Sequence, residues 1–528
     1  MDFLEVVSEA ADAVQNRLAA AAICITVLLS TLILFMKIHR INNRSAEKLP
    51  PGPPGLPIIG HLHMLGKLPH RKLCLLSRRY GPLMSLRLGS VPTVIVSSAE
   101  MAQQFLKNHD HVFSSRPTMR CGKNLFYNSV DMIFSPYGQY WKQVRRISVS
   151  ELLSTKSLEA LRFQREEEVS VMIHSLLEKC ASVSNPVVDV SKTVLAVAVD
   201  IICRMAFGRK YSDEEAYDNR GFEEMIKEFG FLLGAFDIGD FIPYLGWMDL
   251  QGLGRRQKAI SRTADAFYEK LIEEHLAQKD VRETRDFVDV LLALSEHNIR
   301  RDNIKAILID MLHAGSDAPS TALEWAMSEL LRRPLVMTKA QEELEKVVGL
   351  NRKVRESDLP HLPYLQAVVK ETLRLYPSAP LLAPHESMES CTVCDYEIPA
   401  RTRVIVNAWA IGRDPKSWED AEEFKPERFT ESPSSCVDVR GQDFELIPFG
   451  SGRRGCPGMQ LGMVIVEFVL AQLLHCFDWR LPAEIQGRDL DMTENFGLAI
   501  PRAVPLLAIP TPRLAAEALG SSQDQGIK

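Results

Sequence analysis

The chain has 528 residues, with 62 Lys and Arg against 68 Asp and Glu and a formal net charge of −6. That balance and a pI near 6.2 exclude the basic footprint of a nucleic-acid binder. The 10 cysteines show no paired spacing apart from Cys391-Thr392-Val393-Cys394, and a zinc ribbon needs a second such pair. That pair is read as two small buried side chains, and the cysteines as reduced, cytosol-facing thiols.

Residues 18–36 run for 19 positions without a charge. At 1.5 Å per residue they span about 28 Å, close to the ~30 Å hydrocarbon core of a bilayer. Lys37, His39, Arg40, Arg44 and Lys48 follow, whereas Asp2, Glu5, Glu9 and Asp12 precede. No small-residue cleavage site follows the run, so an uncleaved single-pass anchor is expected, with residues 1–17 lumenal and the positive flank cytosolic. Residues 37–57 form a basic and proline-rich hinge, because prolines fix φ and lack amide donors. No low-complexity linker interrupts residues 55–510, which predicts one large domain over 58–512, before a flexible tail at 513–528.

Within that domain, residues 83–98 alternate as two short strands. Most of 137–347 is helical in pattern. The spacing predicts one long helix over 302–333, with Asp302 as its cap and Pro334 as its stop. Such a helix is about 45 Å long and crosses the whole domain. A further helix is predicted over 363–375, β-like runs over 392–406 and 497–509, and a helix over 459–475. The fold class is mainly α with small β-sheets.

The sharpest motif is Pro448-Phe449-Gly450-Ser451-Gly452-Arg453-Arg454-Gly455-Cys456-Pro457-Gly458, a glycine-rich loop that delivers one cysteine to the start of an apolar helix. A helix N-terminus and cations, here Arg453 and Arg454, both lower a thiol's pKa, and thiolate is the form that binds metal. Loop amides can donate to the sulfur and tune a bound iron. Cys456 is therefore read as a haem-iron ligand.

This loop resembles the haem-binding signature of the cytochrome P-450 superfamily, and the resemblance extends over residues 50–507. It implies the cytochrome P-450 fold with an N-terminal transmembrane helix, haem b ligated by Cys456, and Phe449 against the cofactor. Glu371-Thr372-Leu373-Arg374 and the later Pro426-Glu427-Arg428-Phe429 resemble the family's Glu-x-x-Arg motif and its distal arginine. By that resemblance Glu371, Arg374 and Arg428 form a buried structural triad that clamps the ligand loop. Trp141-Lys142-Gln143-Val144-Arg145 matches the propionate-binding pattern, with Arg454 and His385 as two further candidates by position. Exposed Lys142, Arg146 and Arg453 are candidates for docking an acidic reductase.

One departure stands out. Family members carry a threonine at the middle of the long helix that supports proton delivery during oxygen activation, but this chain reads Ala314-Gly315-Ser316-Asp317-Ala318-Pro319-Ser320-Thr321. Pro319 opposes the carbonyl of Gly315. Ser316, Ser320 and Thr321 are possible substitutes for the hydroxyl, Thr321 lying nearest the face of Ala318. In one reading Asp317 still gives a proton relay and monooxygenation survives. In the other the protein is a non-oxidising haem isomerase or dehydratase, or a non-catalytic membrane haem-binding scaffold.

The resemblance is to plant microsomal members of specialised metabolism. It implies a monomeric monooxygenase in the endoplasmic reticulum membrane that uses O2 and electrons from NADPH through a reductase flavoprotein. Thiolate ligation favours O–O cleavage. By family alignment the pocket draws on residues 119–133, 307–314, 378–382 and 496–498. Tyr127, Asn128, Asp310, His313 and Asn495 then suit a flat phenolic with polar ends, as in phenylpropanoid ring hydroxylation of the ferulate 5-hydroxylase kind. Terpenoid hydroxylation is the alternative.

Overall fold

Most apolar runs in this chain repeat at helical spacing and few alternate, so helices carry the core and strands are confined to its edge. The structure, a computed structural model, describes residues 48–515 apart from 212–218, 279–284, 295–298, 432 and 484, together with scattered residues between 19 and 33. The strands Leu83–Leu88, Val91–Val96, Arg403–Val406 and His385–Glu386 form one sheet in that order. The first two are an antiparallel hairpin with Leu83 opposite Val96, and Val91–Val96 runs parallel to Arg403–Val406. The expected run at 497–509 becomes a strand only at Leu507–Pro512, where it joins Val188–Asp189 and Phe477–Arg480. Cys391 and Cys394 flank a small hairpin, and Cys394 at its tip is exposed, which corrects the expectation that both are buried.

The long helix spans Arg301–Arg332, and Pro363–Leu375 and Met459–Cys476 also form close to expectation. Asp302 does not cap the long helix. Asn303 accepts from the Arg300 amide at 2.8 Å instead, and Asp302 sits in the first turn. Pro334 opens the next helix, Pro334–Val348, since its missing amide costs nothing at a first turn. The long helix packs against Val190–Phe207 on one side and Met459–Cys476 on the other. From Asn303 to Leu331 its side chains are buried all round, as expected of a helix through a core, except at Ala314, which is exposed, and at half-buried Gly315, Asp317 and Ala318. An open space therefore lies against the middle of the helix.

The proline run is not a free lever at its end. The Ser85 amide donates to Pro51 O at 2.9 Å, and the Glu397 amide donates to Lys48 O at 2.9 Å. Of the expected anchor at 18–36, residues 19, 21–23, 25–27, 29, 30 and 33 are described, and they are helical and exposed. The rest of it, the expected lumenal residues 1–17, the hinge residues 37–47 and the tail beyond 515 lie outside the described residues. Among the described residues, Met459–Cys476 is the one helix long and apolar enough to cross a membrane, and it belongs to the core.

Candidate active site

The cysteine loop turns on two glycines with left-handed backbone, Gly450 at φ 68° and Gly452 at φ 69°. A Cβ at Gly452 would stand 2.2 Å from Leu106 O, so only glycine lets the loop pass that close. The Cys456 amide donates to Phe449 O at 2.8 Å, which closes the loop and places Phe449 near Gly462 at the helix start. The Cys456 side chain is accessible. Burial of its surroundings pushes the thiol up, opposed by the Gly458 amide and by the Arg145 charge. The cation that acts on this sulfur is therefore Arg145 and not the two loop arginines. Arg453 pairs with Asp110 at 3.3 Å, and Arg454 turns away to backbone carbonyls.

Arg454 donates to Ser114 O at 2.7 Å, to Met132 O at 3.3 Å and to Ser135 O at 2.6 Å. Arg145 donates to Gly455 O at 2.8 Å, and Arg116 donates to Ala383 O at 2.7 Å and Pro384 O at 2.9 Å. Burial, then the charges of Arg116 and Arg145, pull Arg454 down to about 8. Three guanidiniums crowded in one region, with spare N–H groups and an accessible thiol nearby, form a donor set that fits a ligand carrying two carboxylates and a metal. A haem has both.

Two expected contributors behave differently. Trp141 Nε1 donates to Met132 O at 3.0 Å, so its donor is used within the protein, and its ring is covered by Arg454. His385 is 5% exposed and its Nδ1 faces Phe113 O at 2.8 Å. Burial and the neighbouring Arg116 hold it well below the usual histidine range, so it stays neutral and is not the expected cation. The buried cation beside it is Arg116. Its place ahead of Pro117, just before the expected pocket run at 119–133, was the available signal.

The structure brings Glu371, Arg374 and Arg428 together. Arg374 binds Glu371 through two bonds, Nε to Oε2 at 2.7 Å and Nη2 to Oε1 at 2.8 Å, and Arg428 Nε reaches Oε1 at 3.0 Å. The grip of this triad falls elsewhere than predicted. The arginines donate to the carbonyls of Gly412, Ala421, Glu423 and Glu419, and Glu371 accepts the Lys425 amide, so the triad holds the 412–428 segment directly and not the cysteine loop.

At mid-helix, Ser316 donates to Leu312 O at 2.6 Å and Ser320 to Asp317 O at 3.1 Å. Both hydroxyls thus donate to helix carbonyls and keep only their acceptor side for another partner. Thr321 is buried at 4% exposure. A hydroxyl from outside the helix does reach this point, because Ser378 donates to Ala318 O at 2.8 Å. The helix is continuous through Pro319. Asp317 lies beside Gly230, its Oδ2 3.2 Å from where a Cβ there would stand, and burial pushes its carboxyl up to about 7.

Two of the polar ends expected of the pocket are engaged by other parts of the protein. Tyr127 donates to Asp265 at 2.8 Å, and Asp310 accepts the Met132 amide at 2.7 Å. His313 stacks on Phe229 with centroids 4.3 Å apart, and burial holds it down to about 3. Asn128 is exposed.

Fold and loop together define a haem-thiolate protein. The cytochrome P450 family profile matches residues 50–506. Cytochrome P450 71AP13 of Prunus mume is 47% identical over 493 residues, covering 92% of this chain and 95% of that protein. Cytochrome P450 CYP736A12 of Panax ginseng is 48% identical over 480 residues, covering 89% and 94%. A zebrafish cytochrome P450, in a structure with abiraterone, superposes with a TM-score of 0.71 at 28% identity, over 85% of this chain and 100% of that one. The chain belongs to the cytochrome P450 family. It is a monooxygenase, an oxidoreductase that uses haem on a cysteine thiolate and NADPH-derived electrons from a redox partner.

Proposed function

We propose that the enzyme hydroxylates a small, mainly apolar plant metabolite, with a phenylpropanoid ring as the first substrate class and a terpenoid skeleton as the second. The observation that carries the polarity is the engagement of the Tyr127 hydroxyl by Asp265 and of one Asp310 oxygen by the Met132 amide, beside an exposed Ala314 at mid-helix. The ring reading rests on sequence phrases, His385-Glu386-Ser387 and Phe496-Gly497-Leu498, that resemble those of plant ring hydroxylases and are in large part common to terpenoid oxidases as well. The loss of the Tyr127 hydroxyl as a polar end favours the terpenoid.

In this reading Cys456 Sγ would hold the iron, Arg116, Arg145 and Arg454 would hold the propionates, and Phe449 would lie against the cofactor. The bound haem supplies oxygen activation and insertion of one oxygen atom. The chain's own part is to orient substrate against Ala314, exclude water through the buried helix on either side, and hold a proton on the Asp317 carboxyl. Ser378 fixes the helix at Ala318 through its bond to that carbonyl. Thr321 and Asp317 form the remaining acid and hydroxyl pair.

The same proposal places the enzyme as a monomer on the endoplasmic reticulum membrane, held by residues 18–36 with the body cytosolic. An apolar tip supports this orientation. Trp247 is 82% exposed and Tyr244 and Ile58 are both 56% exposed. The segments carrying them meet at the Gly89–Ser90 turn, where Gly89 N donates to Ile59 O at 3.1 Å and Ser90 N to Phe241 O at 2.8 Å. Lys142 and Arg146 remain exposed for a reductase, whereas Arg453 is occupied by Asp110.

Membranes containing the enzyme, a plant reductase and NADPH, incubated with hydroxycinnamyl acids, aldehydes and alcohols beside small terpenoids, test the reading by product mass. Gain of one oxygen on a phenolic supports the first class, and gain on a terpenoid only supports the second. Substrate conversion without a mass gain of one oxygen and without NADPH would replace both with the isomerase reading.

A further inference from the structure

Two buried acids outside the reaction described above face a single turn. Asp131 is 0% exposed and Asp310 is 3% exposed. Asp131 Oδ2 accepts the amides of Ile133 at 3.0 Å and Phe134 at 2.7 Å, and Asp310 Oδ2 accepts the amide of Met132 at 2.7 Å. Consecutive amides of one turn thus end on two carboxyl groups, one from the turn and one from the long helix. The Oδ1 atom of each acid is buried without a hydrogen-bond partner.

Two ionised carboxylates in such a place repel each other in a low dielectric, and each orphan acceptor has lost its water without gaining a partner. One proton between them answers both costs, since a protonated acid donates through O–H while the ionised one accepts. The surroundings decide which acid is ionised. The Tyr140 phenol faces both acids, but Asp131 faces the cations Arg116 and Arg454, whereas Asp310 faces Asp131 and the phenol of Tyr268. Burial raises both carboxyls, Asp131 to about 7 and Asp310 well above its ordinary value, with Asp131 adding to the rise at Asp310.

We propose that Asp310 is a neutral acid that donates to ionised Asp131, and that this pair is the positioning device that locks turn 131–134 to the long helix at the haem edge. Met132 joins the two halves. Its amide ends on Asp310, and its carbonyl accepts Trp141 Nε1 at 3.0 Å and Arg454 Nη1 at 3.3 Å. The helix that lines the substrate side and the arginine assigned to the propionates are therefore held through one residue's backbone. Asp310 acts through that turn and is not a catalytic residue. The proposal rests on the haem reading only for its effect on the cofactor.

The test compares D310N, D310L and D131N in the full-length holoenzyme. The carboxamide that D310N introduces can donate to Asp131 and accept from the Met132 amide, so this variant keeps haem content and midpoint potential unchanged. D310L loses haem several-fold, and D131N raises the potential by removing a negative charge near the haem-edge cations. In 4-13C-aspartate-labelled D317N protein, infrared spectra at mildly alkaline pH show a protonated aspartic acid carbonyl band that D310N removes. A potential raised by D310N as by D131N, or a band that survives D310N, overturns the pair. If D310N does not accumulate, absence of any protonated aspartate band in labelled D317N protein overturns it equally. The infrared result does not depend on iron, so it separates this proposal from a failure of the haem reading, which a missing thiolate spectrum would reveal.

Discussion

The Arg454 guanidinium carbon lies 3.9 Å from the centre of the Trp141 ring, and the same tryptophan donates its N–H to Met132 O, which Arg454 also contacts. The pair from the cysteine loop and the helix Gln139–Ile147 is therefore one unit, with a flat cation on an aromatic face and a shared carbonyl beneath.

Lysine cannot reproduce a planar fork that meets three carbonyls and stacks on a ring. R454K should weaken the folded holoenzyme by about 2 kcal/mol, from hydrogen bonds worth about 1 kcal/mol each. The check is the rate of haem transfer to apomyoglobin, which should rise at least several-fold over the wild type.

Glu371 is fully buried between two arginines. E371A leaves both charges without their partner, a cost of about 3 to 5 kcal/mol. Expressed protein should lack the thiolate-type carbonmonoxide spectrum, and a variant that retains it with normal stability would remove the triad from haem retention.

Asp317 is an acid raised from its ordinary 3.8 to about 7, so it is protonated and most favourable to the fold below its ordinary value, and that advantage is lost as pH rises through about 7. If it holds the proton for oxygen activation, product formation at saturating substrate falls across the same window. D317N should remove that limb of the pH profile and slow turnover about 10-fold or more with little change in the substrate-induced spectral shift. Equal losses in binding and turnover would exclude the role.

Ser378 is the hydroxyl that meets the helix where the threonine is missing. S378A removes one buried hydrogen bond, about 1 kcal/mol, too little to unfold the enzyme. The expected effect is on coupling, with less product formed per NADPH consumed, measured by assaying both together.

Much of this fold was legible because its signals are local. The helix at 363–375 is framed by Pro363 and Pro377, and it forms as Pro363–Leu375. The long helix was legible from its length, but its cap was not. The N-cap is Arg300, a residue with no capping signature, and Asn303 serves it from the third helical position by accepting its amide. Cys456, Glu371, Arg374 and Arg428 stood out because their spacing is fixed within short motifs. Arg116, Asp131 and Ser378 did not, since each matters through a partner hundreds of residues away or through a carbonyl that has no residue identity. The same holds for the corrections at His385 and Trp141, whose hydrogen bonds go to backbone oxygens of Phe113 and Met132. A sequence names side chains and is silent on which carbonyl will stand beside them.

The bonds from Ser85 to Pro51 and from Glu397 to Lys48 bear on how a soluble form should be cut. A truncation designed by hydropathy would discard everything through the prolines as linker, and would unzip the first strand from its outer neighbour. The useful cut lies upstream of Lys48, so that a crystallisable version loses the bilayer segment and keeps the seam.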